Sequence, residues 1–137
     1  MYGLIRFSSA IVAIFCLAAC AGGASAAGAP DARDLYLARC SACHQIGGEG
    51  LSGVFPPLKG SAVVNKDDAT KHIHVVLNGM QGARVSGVTY ANAMPPFAGT
   101  LSDEEIAAII NYERRSWGNH GQPVTAAQVA AERSRPK

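Results

Sequence analysis

Apolar positions return at helical spacing in three stretches of this chain, separated by segments whose glycines and prolines break the period. From Asp31 to Cys43, Leu35, Ala38 and Ala42 form a narrow stripe with Tyr36 beside it. Pro30 stands at the edge of this stretch, and Asp31 and Asp34 lie near the positive end of the dipole, so a first helix is predicted over 31–43. Gly47, Gly48, Gly50 and Gly53, followed by Pro56 and Pro57, end the period and predict a long loop. Such a loop inside a compact domain needs something to wrap around. A second helix is predicted up to Asn78, capped by Asp67 or Asp68, with Ile73, Val76 and Leu77 on one face and Gly79 as its stop.

Ser102 and Glu105 form a capping box for a third helix from Asp103 to Trp117, whose buried face is Ile106, Ile109, Ile110 and Trp117. Gly118 and Asn119 end it. Glu113 falls near that face, where a carboxylate is costly to bury, and is expected at the rim or paired with an arginine. Between the second and third helices, Val85, Val88 and Tyr90 around Ser86 and Gly87 predict a short β-hairpin over Ala83 to Tyr90. Beyond Asn119 the chain turns through Gly121 and Pro123 into an alanine-rich stretch, Thr125 to Arg133, anchored only by Val124 and Val129. It reads equally as a short helix capped by Thr125 or as a frayed tail. The class expected is all-α, with three main helices, long loops and room for one hairpin.

The N-terminus follows a different pattern. Arg6, the apolar run Ile11 to Ala19 and the small residues Ala24, Ser25 and Ala26 read as a signal peptide over 1–26, cleaved to leave Ala27 first. The run is too short to span a bilayer, and no later stretch supplies a transmembrane helix. Leu17, Ala18, Ala19 and Cys20 also resemble a lipobox, in which Cys20 would be acylated and carry a lipid anchor. Gly22 to Ser25 would then be a flexible tether. The domains expected are therefore 27–119 as the folded unit and 120–137 as a C-terminal extension. The location expected is periplasmic.

Composition narrows the function classes. The chain has 12 basic and 10 acidic residues, and loss of the leader removes only Arg6, so no basic stripe marks a nucleic-acid surface. Charged residues make up 16%, which predicts a mild surface. Cys16 and Cys20 lie in the leader, leaving Cys40 and Cys43 and no disulfide framework. A unit this small has a marginal core, so a buried prosthetic group would supply its apolar centre, and the apo-protein is expected to be largely unfolded.

Cys40, Ser41, Ala42, Cys43 and His44 form a C-x-x-C-H run. Two thiols on one helical turn can add to the vinyl groups of one heme while the adjacent imidazole reaches the iron. A redox dithiol would come with a βαβ pattern, which is absent. Zinc would need two more ligands, and the candidates His72 and His74 point to different helix faces, as ordinary surface or rim histidines do. His44 needs an acceptor for its second ring nitrogen. A backbone carbonyl near Pro56 or Pro57 is expected, since prolines add no competing donor. For the opposite axial position, Met94, ahead of Pro95, Pro96 and Phe97 in a rigid segment, is favoured over Met80, a histidine or an open site.

These features together resemble a class I c-type cytochrome over roughly Asp31 to Asn119, with the motif, the Met-Pro segment and the terminal helix in the family's order. The stretch from Gly79 through Tyr90 to Met94–Phe97, then Leu101–Ile106 and Ser116–Asn119, is similar to small cytochromes that serve or are fused to bacterial dehydrogenases, oxidases and nitrite reductases. The resemblance implies the small cytochrome c fold around one covalently bound heme c. Cys40 and Cys43 would carry thioethers, His44 and Met94 would be the iron ligands, and no residue would be catalytic. Two departures stand out: the family often has an apolar residue at the place of Glu113 and a glycine at that of Gln45.

The function expected is single-electron transfer between redox proteins such as a dehydrogenase, reductase or oxidase. Ala42, Gln45, Ile46, Ala93, Pro95 and Phe97 are the candidate docking ring, although Phe97 and Ile46 can equally serve to seal the heme. The alternative is a heme enzyme or gas sensor with an open or switchable sixth site.

Overall fold

The computed structural model describes residues 31–136. The leader, its cleavage site, Cys20 and Pro30 lie outside the described residues. Within them run α1 (Ala32–Arg39), α2 (Ser41–His44), α3 (Ala62–Asn65), α4 (Thr70–Asn78), β1 (Ala83–Val85), β2 (Val88–Tyr90), α5 (Asp103–Arg115) and α6 (Ala126–Arg133). The fold is mostly helical, with one antiparallel hairpin in which Ala83 faces Tyr90 and Val85 faces Val88. No described helix is long and apolar enough to cross a membrane.

The first helix, expected to be continuous to Cys43, is broken at Cys40, where φ and ψ are −117° and −36°. Ser41 Oγ bonds back to the Leu37 carbonyl at 2.8 Å, a side-chain competitor that bends helices. The break turns the separate one-turn α2 against the loop that follows. Asp31 caps α1 by accepting from the Arg33 amide, beyond the dipole role its position indicated.

The third predicted helix also ends early. Its capping box is present in full at Ser102 and Glu105, but α5 stops at Arg115. Ser116 is extended and Trp117 adopts a φ of 56°. That departure brings the indole over the 45–50 loop, where Trp117 Nε1 donates to the Ile46 carbonyl at 3.1 Å. Trp117 also joins Tyr36 and Tyr112, with ring centroids 5.1 to 5.6 Å apart, at the crossing of α1 and α5. Such aromatic packing adds roughly 0.5–1.5 kcal/mol per pair beyond area burial.

Two further elements differ from the expectation. The long loop after the first helix contains α3, whose Val64 is buried. The second helix begins at Thr70; Asp68 sits before it and accepts from the Thr70 amide at 2.9 Å, and the Thr70 hydroxyl together with that amide holds its carboxyl below the ordinary range.

The segment after Asn119 is a packed helix. Thr125 and Gln128 form a second capping box, and Val124 and Val129 belong to the same core as Ile106, Ile109 and Ile110. Asn111 holds Val124 through both its backbone groups, at 2.8 and 2.6 Å. Arg133 bonds Asp103 and the carbonyls of Ala98 and Leu101, fastening α6 to the start of α5.

Candidate functional site

One cavity, of about 1170 Å³ with its open mouth included, separates α1, α2 and the Phe55–Leu58 segment from α4, the hairpin and the Met94–Phe97 segment. Its lining is mainly aliphatic and aromatic carbon, the kind of site that takes a flat, largely apolar ligand. Cys40, Cys43, His44, Met80 and Met94 all face it. Residues up to 54 positions apart in sequence are thus brought to one space.

On the first wall, the single turn Ser41–His44 sets His44 beside the two cysteines, with the His44 amide bonded to the Cys40 carbonyl at 2.9 Å. Gln45 then leaves the helix with a φ of 64°, its carbonyl accepting from the Tyr36 hydroxyl at 2.6 Å. His44 Nδ1 lies 2.9 Å from the Pro56 carbonyl, so it carries the hydrogen and Nε2 keeps the lone pair. The acceptor is the proline carbonyl anticipated from the sequence. Gly50 makes this possible: its amide donates to the His44 carbonyl at 3.0 Å, and a Cβ there would lie 2.5 Å from the Phe55 oxygen and 2.7 Å from that of Pro56. Both cysteines are free thiols. Burial, with the Glu113 carboxylate adding to it, pushes the Cys40 thiol up, so it is held as the neutral form.

The opposite wall depends on contacts between distant segments. Met80 and Met94 exchange both backbone hydrogen bonds, at 3.1 and 2.8 Å. In an antiparallel pair directly opposed residues project to the same face, which explains why both methionines line the cavity. Gly79, with a φ of 73°, permits the approach, since its Cβ would fall 2.4 Å from the Met94 oxygen. The amides of Phe97 and Ala98 cap the last carbonyls of α4, Val76 and Leu77, at 3.1 Å each. Between the methionines the hairpin turns Ala83 and Val85 to the cavity and Arg84 to solvent, as strand alternation requires.

Two residues of this wall were expected elsewhere. Glu113, predicted at the rim or beside an arginine, is 3% exposed and pairs with His72, itself 3% exposed rather than at the surface. His72 Nε2 and Glu113 Oε2 are 2.8 Å apart, and both residues line the cavity. The neighbouring Arg114 is fully buried on the other side of α5, where it donates to the Lys66 and Gln122 carbonyls at 2.6 Å each. The legible signal was the position of His72 four residues before buried Val76, on one helix, and of Glu113 three after Ile110 on another. Spacing within either helix could not show that the two faces meet. His74 bonds Glu132 of α6 at 3.0 Å, so the two histidines diverge as their spacing indicated.

Of the docking ring, Ala42, Ile46, Ala93 and Pro95 are exposed, with Ile46 at 65%, whereas Gln45 and Phe97 are half-buried. Phe97 packs against the core and so acts in part as a seal.

A sequence profile of the family described as "Cytochrome C oxidase, cbb3-type, subunit III" matches residues 27–112. The chain is 38% identical over 123 residues to cytochrome c-552 of Thermus thermophilus, covering 83% of this chain and 81% of that one. It is 39% identical over 106 residues to the cytochrome c subunit of alcohol dehydrogenase (quinone) from Gluconobacter oxydans, and 38% identical over 103 residues to the gluconate 2-dehydrogenase cytochrome c subunit of Pantoea cypripedii. These matches cover 77% and 72% of this chain, but the chain spans only about a fifth of the length of those two subunits, 21% and 23%. With the cavity, the order of the elements and these matches in agreement, the chain belongs to this family of c-type cytochromes, whose prosthetic group is a heme c.

Proposed function

We propose that this protein is an exported carrier of single electrons holding one heme c, with Cys40 and Cys43 as thioether attachment points, His44 Nε2 and Met94 Sδ as the iron ligands and no catalytic residue. The observation that carries this reading is the convergence on one apolar cavity of two free thiols, an imidazole whose other nitrogen is tied to Pro56, and a methionine on the facing wall. When bound, the heme supplies a reversible one-electron iron couple.

The residues of the chain do the rest. The Pro56 carbonyl fixes the ring of His44 and makes Nε2 a better donor. A group held by His44 and Met94 would have its reduced iron favoured, and a substrate would have to displace one of these two residues to bind. The aliphatic lining excludes water, so little rearrangement accompanies transfer. Exposed Ile46 and Pro95 would present a small apolar patch to a redox protein. Relatives that are cytochrome subunits of dehydrogenases favour a dehydrogenase as donor.

The heme-loaded full chain tests the reading directly. A ferric protein showing the long-wavelength charge-transfer band of thioether ligation, and a ferrous protein that does not take up carbon monoxide without denaturant, are expected. Carbon monoxide binding under native conditions would instead support an enzyme or gas sensor with an open sixth site. Intact mass decides the anchor: an N-terminus at Ala27 marks a periplasmic soluble form, an acylated Cys20 a membrane-tethered one.

A further inference from the structure

The C-terminal helix α6 contributes nothing to the cavity lining, and electron transfer as described does not use it. Its last residue, Arg133, nevertheless reaches the segment that carries Met94. Nε donates to Asp103 Oδ1 at 2.8 Å, Nη2 to the Leu101 carbonyl at 3.1 Å and Nη1 to the Ala98 carbonyl. Three nitrogens of one planar guanidinium thus serve three acceptors, an arrangement that the compact ammonium of a lysine cannot reproduce. Ala98 and Leu101 are the two ends of the turn between the methionine segment and α5. Within that turn the Thr100 and Leu101 amides both donate to the Phe97 carbonyl at 3.1 Å.

The turn leads directly to the site. Phe97 and Leu101 line the cavity, and the Ala98 amide donates to the Leu77 carbonyl of α4 at 3.1 Å. Ala98 is therefore held from both sides, its amide by α4 and its carbonyl by Arg133. Between Ala98 and Met94 stand Pro95, Pro96 and Phe97, and the fixed φ of the two prolines passes the position of one end to the other. The helix that supplies Arg133 is itself fixed: Val129 lies in the core, Asn111 holds Val124 at 2.8 and 2.6 Å, and buried Glu132 bonds His74 of α4 at 3.0 Å. Adjacent residues of α6 thus grip α4 and the turn after Met94, the two pieces of chain that bring Met80 and Met94 together.

We infer that Arg133 is a positioning residue for the methionine side of the site: by holding the Ala98 and Leu101 carbonyls it sets where the Met94 segment stands over the cavity. The inference rests on the function proposed above. Arg133 lies outside the cavity lining and acts through the turn. A ligand side chain carried on a loop keeps its working geometry, to within about 0.5 Å, only where such supports lock the loop. Loss of the two carbonyl bonds frees the turn without removing any group that lines the site.

The test compares Arg133→Gln and Arg133→Lys with the wild type in the heme-loaded full chain. Amide hydrogen exchange at Met80, Met94, Phe97 and Ala98 should quicken about tenfold in both variants, the change expected when a hydrogen bond of ordinary net strength is lost. The amides of His44 and Gly50, on the first wall, should keep their wild-type rates. The thioether charge-transfer band should weaken in both variants. Asn119→Ala, which destabilises the fold through Gly60 and Leu58, should leave the band at full strength. Exchange that quickens equally on both walls, or not at all, makes Arg133 a general support and overturns the inference. A fully wild-type Arg133→Lys does the same, because the pairing with Asp103 would then suffice. A wild-type protein without the thioether band overturns the ligand reading, and the inference with it; a normal band that both variants retain defeats the inference alone.

Discussion

The two walls of the cavity are built by different means. The wall carrying Cys40, Cys43 and His44 is a single helical turn braced by the loop that follows it directly: His44 meets Pro56, and Gly50 meets His44. The facing wall joins pieces that are far apart, with Met80 bonded to Met94, Val76 to Phe97, and His72 to Glu113 across 41 positions. Short sequence separation costs little loop entropy and leaves a motif that can be read. Long separation must be held by packing, and its polar members appear in no motif. Position along the chain thus decides which wall is legible and which depends on the rest of the fold.

The largest effect should come from emptying the first wall. The double variant Cys40→Ala, Cys43→Ala removes both proposed attachment points, and its far-UV circular dichroism should show no cooperative melt, because a core of this size is marginal without its apolar centre. A native-like melt would mean that the walls stand without their occupant. Next comes Met94→Ala, which should abolish the methionine band, retain covalent heme and open the ferrous protein to carbon monoxide. Met80→Ala should do none of this, although both methionines share the wall; the reverse result would exchange their roles.

Smaller effects separate the supports of the two walls. Asn119 accepts from the Gly60 amide and Asn65, and donates to the Leu58 and Glu113 carbonyls, at 2.9 to 3.1 Å. Asn119→Ala should lower unfolding free energy by about 3 kcal/mol in urea titrations, chiefly from buried groups left unpaired. Gly79, at φ 73° and ψ −177°, occupies a region essentially closed to other residues. Gly79→Ala should cost about 2 kcal/mol by the same measurement and weaken the methionine band, while leaving heme attachment intact. Equal spectral damage from Asn119→Ala and Gly79→Ala would erase the distinction between the walls.

How far the sequence could be read follows from the same division. The capping box at Ser102 and Glu105, the hairpin around Ser86 and Gly87 and the stop at Gly79 are local signals, and each occurs where its chemistry placed it. The break at Cys40 and the early end of α5 were missed because a side chain bonding back to Leu37 and an indole reaching for Ile46 outweigh helical periodicity. The helix over Ala126–Arg133 was ambiguous because Val129 is its one large apolar side chain; Asn111 and Arg133, through contacts with other elements, hold it in place. Glu113 was misplaced for a related reason. Burying a carboxylate is costly, and the partner that offsets the cost, His72, lies on another helix.

The sequence by itself determined the helical class, the C-x-x-C-H motif with its imidazole, the proline carbonyl that orients it and the positions of the two methionines offered as candidates for the facing side, because each is encoded within a few residues. Only the tertiary structure decided that both methionines share one face and that a histidine and a glutamate meet in the wall beside them. Those facts depend on which helix faces oppose one another, and that is settled by the packing of the whole core.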